Sequence, residues 1–168
     1  MLDVGHSAHM RIDWDDLEAA FSFSSTMHRH FLLFQTGEVL LLSEDMDDEE
    51  RAEIEERLDA DGFAEIEAPD SHEQWGWMAA FAKAVQDQHL RELLEVSLAG
   101  KGAFRRFKDV LLSVSDERER WFRFEAQAMH TALERWVGGL ASEVENHPPW
   151  AESRPSAVGP AMTAQPHV

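Results

Sequence analysis

Hydrophobic residues follow two different spacings along this chain, and the first of them predicts a small sheet. Two short apolar runs, residues 31–34 and 39–42, flank a four-residue turn in which Gly37 can take the positive φ that hairpins often require. A third run over residues 62–67 ends before Pro69, a residue that cannot continue a central strand. We therefore predict a small antiparallel sheet of about three strands in this part of the chain.

Helical spacing governs the segments before and between these strands. Asp13 is a candidate N-cap for a first helix, because an Asp side chain can accept a hydrogen bond from a first-turn amide. The charged segment 45–56 is followed closely by Leu58, which lies one helical turn after Ile54. This pattern predicts a solvent-facing helix laid across the sheet.

The C-terminal half of the chain is predicted to be mostly helical. Ser71 opens a capping-box sequence, and Asp87 is a candidate cap for the next helix. A further helix is predicted over residues 103–112. The last one, with Ser115 as its candidate cap, is apolar over much of its circumference, which is typical of a helix central to its domain. Together the elements predict an α+β fold in which the small antiparallel sheet packs against a mostly helical C-terminal half.

A chain of 168 residues is long enough for one domain with a substantial core. We place that single α+β domain at residues 11–140. Residues 1–10 are predicted to be a flexible leader, and they contain no apolar run of the kind found in secretion signals. Five of the six prolines follow Asn146 among small and polar residues, which predicts a Pro-rich disordered tail over residues 141–168. Trp150, within this tail, is interpreted as incidental.

Charge is unevenly distributed in this acidic protein, whose formal net charge is -18. Residues 1–100 contain 24 acidic and 6 basic residues, whereas residues 101–135 contain 6 acidic and 8 basic residues. In one interpretation, acidic helix faces keep the protein in solution. In the other, the molecule is dipolar, and its acidic part repels nucleic acid and membranes or attracts a basic partner. With no membrane span and no secretion signal in the sequence, we expect a cytoplasmic protein.

The residues typical of common catalytic and metal sites are missing or wrongly spaced. The absence of cysteine excludes disulfides, thiolate zinc sites and cysteine nucleophiles. An acidic run matches part of a calcium-loop pattern, but Glu50 stands where that loop needs glycine. His28 and His30 share one side of a predicted strand, but no third metal ligand lies nearby in sequence. His130 and the glutamate one helical turn later also lack a third ligand. We therefore predict no catalytic residue, no metal ligand and no cofactor.

The most unusual feature of the sequence is a group of four cations within the segment 100–111. We call this group the basic island; its members are Lys101, Arg105, Arg106 and Lys108. Phe104, Phe107 and Leu111 in the same segment fall on one helical stripe. That spacing predicts that these three apolar residues belong to the core.

Two interpretations of the basic island stay open. In the first, the cations pair with acidic residues elsewhere, such as Glu95, Glu117 and Glu119, and their stems cover the phenylalanines. In the second, they hold an anion or a phosphate with help from the amides of residues 101–103, where glycines allow close approach to a helix start. The acidic surroundings favour internal pairing, because nucleic-acid binders usually have a wholly basic domain.

Four segments together resemble a known family. They are residues 12–17, the turn at 36–39, the block 100–111 that begins Gly-Lys-Gly-Ala-Phe-Arg-Arg-Phe, and the Arg-Glu-Arg-Trp-Phe sequence at 118–122. Over residues 11–140 the chain resembles a bacterial family of small acidic proteins catalogued only as an uncharacterised protein family. The resemblance implies no activity, substrate or catalytic residue, so no functional residue is carried over from it.

These observations favour a non-enzymatic interaction or regulatory module whose contact surface is the basic island. The alternative is a weak nucleic-acid or phosphate binder that uses the same residues, 101–108, and a metal-dependent or hydrolytic enzyme comes third. We expect an unidentified protein partner, with nucleic acid the less favoured partner and no membrane partner. The pattern indicates no particular oligomeric state.

Overall fold

A computed structural model describes residues 9–23 and 25–152 of the chain, and this part forms an α+β fold as predicted. The described residues contain six α-helices and a three-stranded antiparallel sheet, together with a two-stranded parallel pair. In chain order the elements are β1 His9–Met10, α1 Trp14–Ser22, β2 His28–Leu33, β3 Val39–Ser43, α2 Asp48–Asp61, β4 Phe63–Ile66, α3 Ser71–Ala84, α4 Gln88–Ser97, α5 Ala103–Leu112, α6 Ser115–Gly138, β5 Glu143–Val144 and a 3-10 helix Pro149–Ala151.

The antiparallel sheet has the strand order β3-β2-β4, so β2 is its central strand. Phe31 lies opposite Leu40 on one side and Glu65 on the other. The face of the sheet that carries Phe31 and Leu40 packs against Leu58 of α2, and Leu32 of the opposite face joins the core beneath α1. The prediction that a charged helix lies across this sheet is confirmed, because α2 contributes only its inner residues to the contact.

The turn between β2 and β3 is fixed against the segment that leads into α1. Gly37 has a φ of +72°, as the sequence predicts, and its carbonyl oxygen accepts a hydrogen bond from the Asp13 amide at 3.4 Å. A side chain at this position would overlap the carbonyl group of Arg11. Glycine is therefore required here by two conditions at once, a left-handed backbone conformation and a close approach of another backbone segment.

Two of the four predicted helix caps are confirmed and two are wrong. The carboxylate of Asp13 accepts a bond from a first-turn amide of α1, and that of Asp87 does the same for α4. In α3 the cap is Asp70 rather than Ser71, since the Asp70 carboxylate accepts from the Glu73 amide at 2.7 Å and leaves the serine inside the helix. In α6 the chain turns so soon after α5 that Ser115 is already helical, and the cap position has no side-chain hydrogen bond.

The long helix α6 joins the two larger cores of the domain. Its C-terminal part contributes Leu133 to a first core with Leu17 and Phe21 of α1. Its N-terminal part contributes Trp121 to a second core formed with α3, α4 and α5. The prediction of a central helix is thus confirmed, since α6 contributes buried residues to both cores.

The two ends of the described chain pack on each other and on the domain. Strand β5 pairs in parallel with β1, and the Asn146 side chain accepts from the Ile12 amide at 2.8 Å and donates to the Ile12 carbonyl at 2.7 Å. Trp150 stacks on the His130 ring with centroids 4.0 Å apart. Residues 9–10 and 141–152, which the composition assigned to a leader and a tail, therefore belong to the packed structure. The remaining predicted leader and tail, residues 1–8 and 153–168, lie outside the described residues.

Within the part of the chain that the structure describes, every helix is too short or too polar to cross a membrane.

Candidate functional site

The basic island is divided by α5 into one cation that is bound internally and three that are not. The guanidinium of Arg106 donates hydrogen bonds to the carbonyl oxygens of Ser97, at 3.2 Å, and of Ala99 and Lys101. These carbonyls lie at the end of α4 and in the loop that follows it, where main-chain acceptors have no helical partner. Arg106 therefore closes the loop between α4 and α5.

Two glycines give this loop the conformation that Arg106 needs. Gly100 and Gly102 have φ values of +72° and +78°, so both adopt the left-handed conformation that other residues disfavour. A Cβ atom on Gly102 would lie 3.3 Å from the Nη1 atom of Arg106. The glycine spacing in the Gly-Lys-Gly-Ala-Phe-Arg-Arg-Phe block is thus explained by a compact loop closed by the second arginine.

The remaining cations of the island point away from the core. The Arg105 side chain is 90% exposed, and its nearest acid is Asp109, at 3.9 Å and one helical turn away. Lys101 and Lys108 are also exposed, and neither makes an ion pair with any residue in the described ranges. Glu117, one of the acids considered as an internal partner, instead pairs with Arg120 at 3.2 Å.

An exposed stripe runs along α5 and combines charge with apolar surface. Arg105, Lys108 and Leu112 follow helical spacing on the side opposite the core, and we call them the outer α5 face. Leu112 is 62% exposed, and Phe122 on the neighbouring α6 is 55% exposed. Phe122 and Lys108 line the same cleft, so the outer α5 face continues onto α6.

The apolar stripe of the same helix is in the core, as predicted. Phe107 and Leu111 are almost completely buried, and Phe104 is partly buried against the same core. The Phe107 ring lies edge-on to Trp121, with centroids 5.0 Å apart, and to Phe81 at 6.2 Å. Because their rings are used in this cluster, Phe107 and its neighbours are not a platform for stacking nucleic-acid bases.

A cleft of about 410 Å³ opens between α1, α3, α5 and α6. It contains Glu125, a half-buried carboxylate whose pKa is raised by burial and lowered to a smaller extent by the charge of Lys108. Among the described residues, Glu125 makes no hydrogen bond and no ion pair within 4 Å. Glu125 is not among the site residues that the sequence predicts. The sequence does contain a pattern that could have indicated it: Glu125 falls between Phe122 and Met129 on one face of a helix, so a carboxylate lies among apolar residues.

His130 takes part in a contact that the sequence did not predict. Its Nε2 atom lies 2.6 Å from an oxygen of Glu18 on α1, and its ring stacks on Trp150. These contacts connect α6 to α1 and to the 3-10 helix near the end of the described chain. In residues 9–23 and 25–152, no three His, Asp or Glu side chains come close enough together to hold a metal ion.

His28 and His30 lie side by side on the sheet face that α1 only partly covers. Both rings are edge-on to Phe23, with centroids 5.7 and 5.8 Å away. Burial lowers the pKa of His30, and the neighbouring charge of His28 lowers it further. His30 therefore makes the stability of the protein depend on pH.

We expect the free energy of unfolding to decrease as the pH falls from about 7.5 to about 5.5, because unfolded His30 binds a proton that the folded protein resists. This part of the stability is present above the ordinary histidine pKa of 6.5 and is lost as the pH falls from that value through the lower pKa of folded His30. Urea unfolding of the His30→Gln variant should show a flatter dependence, and exposed His89→Gln is the control. Identical slopes for wild type and His30→Gln would contradict this account.

Comparison with known proteins confirms the resemblance noted in the sequence. The model of an uncharacterised protein family (UPF0158) matches residues 8–140, which include the sheet and the first six helices. The UPF0158 protein PA5073 of Pseudomonas aeruginosa is 25% identical over 128 residues, covering 76% of this chain and 82% of that protein. No solved structure matches the chain. Since the family model extends over most of its length, the protein belongs to the uncharacterised protein family UPF0158.

Proposed function

We propose that this protein is a cytoplasmic, non-enzymatic interaction or regulatory module that contacts a protein partner through the outer α5 face and Lys101. The observation that carries the proposal is the Arg105 side chain, which is 90% exposed and has no ion pair shorter than 3.9 Å. A protein with a net charge of -18 has many carboxylates with which an arginine could pair. Arg105 makes only a long, solvent-exposed ion pair with Asp109, so its guanidinium remains available to a partner.

The apolar residues beside the cations support a protein as the partner. Leu112 and Phe122 are both more than half exposed. Protein interfaces typically combine an apolar or aromatic anchor with arginine, and the anchor supplies most of the binding energy. A partner surface with carboxylates around an apolar hollow would match the outer α5 face.

The acidic remainder of the molecule would make this contact selective. An acidic partner is attracted by Arg105 and Lys108 and repelled by the rest of the surface, so only one orientation is favourable. Arg106 is one of the four predicted contact residues. In this proposal it acts through the loop that presents Lys101 and does not touch the partner itself.

The test is chemical cross-linking and affinity capture from cells that produce the protein, comparing wild type with the Arg105→Glu/Lys108→Glu double variant. We expect the double variant to lose at least one specific partner, because both charge contacts are reversed. The control is Arg11→Glu/Lys83→Glu, which makes the same change in net charge at two exposed cations outside α5. The same set of partners for both double variants would contradict the proposal.

A second candidate function, phosphate or nucleic-acid binding, is supported by the start of α5. Gly102 occupies the cap position and provides no side-chain hydrogen bond, so the first amides of the helix are free to bind an anion. They border a hollow of about 540 Å³ lined by His72 and Trp75. This function predicts that inorganic phosphate or single-stranded DNA binds more weakly as salt increases and in Lys101→Ala. Binding that is absent or independent of salt would rule it out.

A further inference from the structure

The unpaired carboxylate of Glu125 lies in a cleft with the properties of a ligand site. Glu125 has no hydrogen-bond or ion-pair partner in the described residues, although it is half buried. Its oxygens are still accessible from the cleft, so a ligand placed there can replace water as their hydrogen-bond donor. Burial raises its pKa, the expected effect on an acid that nothing directly neutralises.

The walls of the cleft are suited to an apolar body. The rings of Trp77 and Phe122 line it together with Pro69 and Met129. Its volume of about 410 Å³ lies within the range of about 300 to about 1,000 Å³ that is usual for small-molecule sites. The faces of aromatic rings also attract a cation placed over them.

The charges in the cleft select a cation rather than an anion. Glu18, the other carboxylate of the lining, is already paired with His130 at 2.6 Å. Glu125 is therefore the carboxylate of the lining that has both oxygens available to a ligand nitrogen. Lys108 is the cation of the lining, and it acts on Glu125 only at a distance, without a direct ion pair. An anionic ligand would bring its charge against two carboxylates.

We propose that this cleft binds an organic cation, a primary ammonium or guanidinium group on an apolar stem, with the nitrogen donating to Glu125 and the stem lying between Trp77 and Phe122. The ligand can be a free amine or the side chain of a lysine or arginine in another protein, since both present the same group. The site shares only Lys108 with the outer α5 face, and Phe122 lies at their common edge.

Isothermal titration calorimetry with phenethylamine and agmatine tests the proposal, with the neutral 2-phenylethanol as the matched control ligand. We expect both amines to bind wild type, and the neutral compound to bind at least about tenfold more weakly, since it cannot make the charge-assisted hydrogen bond. Equal affinity for the amines and the neutral compound would overturn the proposal.

Two variants show whether Glu125 is the group that holds the nitrogen. Glu125→Gln should bind the amines about tenfold more weakly, whereas Glu119→Gln, an exposed acid on the same helix, should stay within a factor of about two of wild type. Thermal unfolding at neutral pH serves as the folding check. The glutamine should not lower the unfolding temperature, because a buried amide costs less than a buried carboxylate. Unchanged affinity in Glu125→Gln would contradict the assignment.

A third variant predicts a change of opposite sign. Lys108→Met removes the positive charge that competes with the ligand, so the amines should bind several times more tightly. A merely structural role of Glu125 gives no reason for this gain, and weaker binding in Lys108→Met would overturn the proposal.

The source of the cation is distinguished with blocked tripeptides. If the blocked sequences Gly-Lys-Gly and Gly-Arg-Gly bind with affinities close to those of the free amines, the cleft accepts a side chain of another protein. If only the free amines bind, the ligand is a small molecule. Failure of all these probes to bind would exclude the site without affecting the outer α5 face, because the partner contact there depends on Arg105.

Discussion

Replacing Gly37 by alanine is expected to destabilise the protein by about 3 to about 5 kcal/mol, one of the two largest losses that the structure predicts. The left-handed backbone at this position, with a φ of +72°, is itself unfavourable for alanine. In addition, the new methyl group would overlap the Arg11 carbonyl and approach the Ile12 nitrogen to 3.0 Å. Backbone cannot rotate away as a side chain does, so the hairpin and the entry to α1 must separate.

Gly100 provides a matched control for this prediction. It has the same φ of +72°, but a Cβ atom added there would meet no atom within 4 Å. The Gly100→Ala variant should therefore lose only the conformational part, about 1 to about 2 kcal/mol. Urea denaturation followed by circular dichroism measures both variants. Equal losses would show that the contact between the turn and residues 11–12 does not contribute to stability.

Replacing Phe107 by alanine is the second large effect, with an expected loss of about 3 to about 5 kcal/mol. The ring is fully buried and packs edge-on against Trp121 and Phe81. Its removal leaves a cavity where α3, α5 and α6 meet, and neighbouring aromatic rings are too rigid to fill it.

Phe104 is the matched control in the same helix. It is only partly buried and packs at the margin of the same core. Phe104→Ala should lose less than half as much stability as Phe107→Ala in the same urea experiment. A larger loss in Phe104→Ala than in Phe107→Ala would contradict the claim that the face of α5 with Phe107 is the one packed most deeply in the core.

Much of the fold could be predicted because its signals are local. The hairpin turn is marked by Gly37, the charged helix by Ile54 and Leu58, and the core side of α5 by the spacing of Phe107 and Leu111. Each of these signals is complete within a few residues. The capping-box pattern favours Ser71 as the cap of α3, but Asp70 accepts the same kind of bond one residue earlier.

The contacts between distant segments had no comparable signal. The Asn146 side chain is hydrogen-bonded to the Ile12 backbone, 134 residues away in the sequence. No local pattern around either residue indicates this contact. The prolines near Trp150 are typical of a tail by composition, yet Trp150 stacks on His130 and lies 5.6 Å from Trp14. Contacts with two aromatic rings hold Trp150 in place, although the residues that flank it in the sequence are typical of a tail.

The basic island shows most clearly what could not be predicted from the sequence. Each of the two interpretations of its sequence gives all four cations the same role. The structure gives Arg105 and Arg106 different roles because neighbouring residues on a helix point about 100° apart. Arg106 binds main-chain carbonyl groups. Every residue has such a group, so the sequence does not show which carbonyls an arginine will bind.

The central claim is that the island divides into a structural arginine and contact cations, and the stabilities of Arg105→Ala and Arg106→Ala test it most directly. Urea denaturation should show a loss of about 2 kcal/mol for Arg106→Ala, whose charge-assisted bonds to three carbonyls are partly exposed to solvent. Arg105→Ala should stay within about 0.5 kcal/mol of wild type, as expected for an exposed side chain with a weak ion pair. Equal stabilities of the two variants, or a larger loss for Arg105→Ala, would contradict the claim.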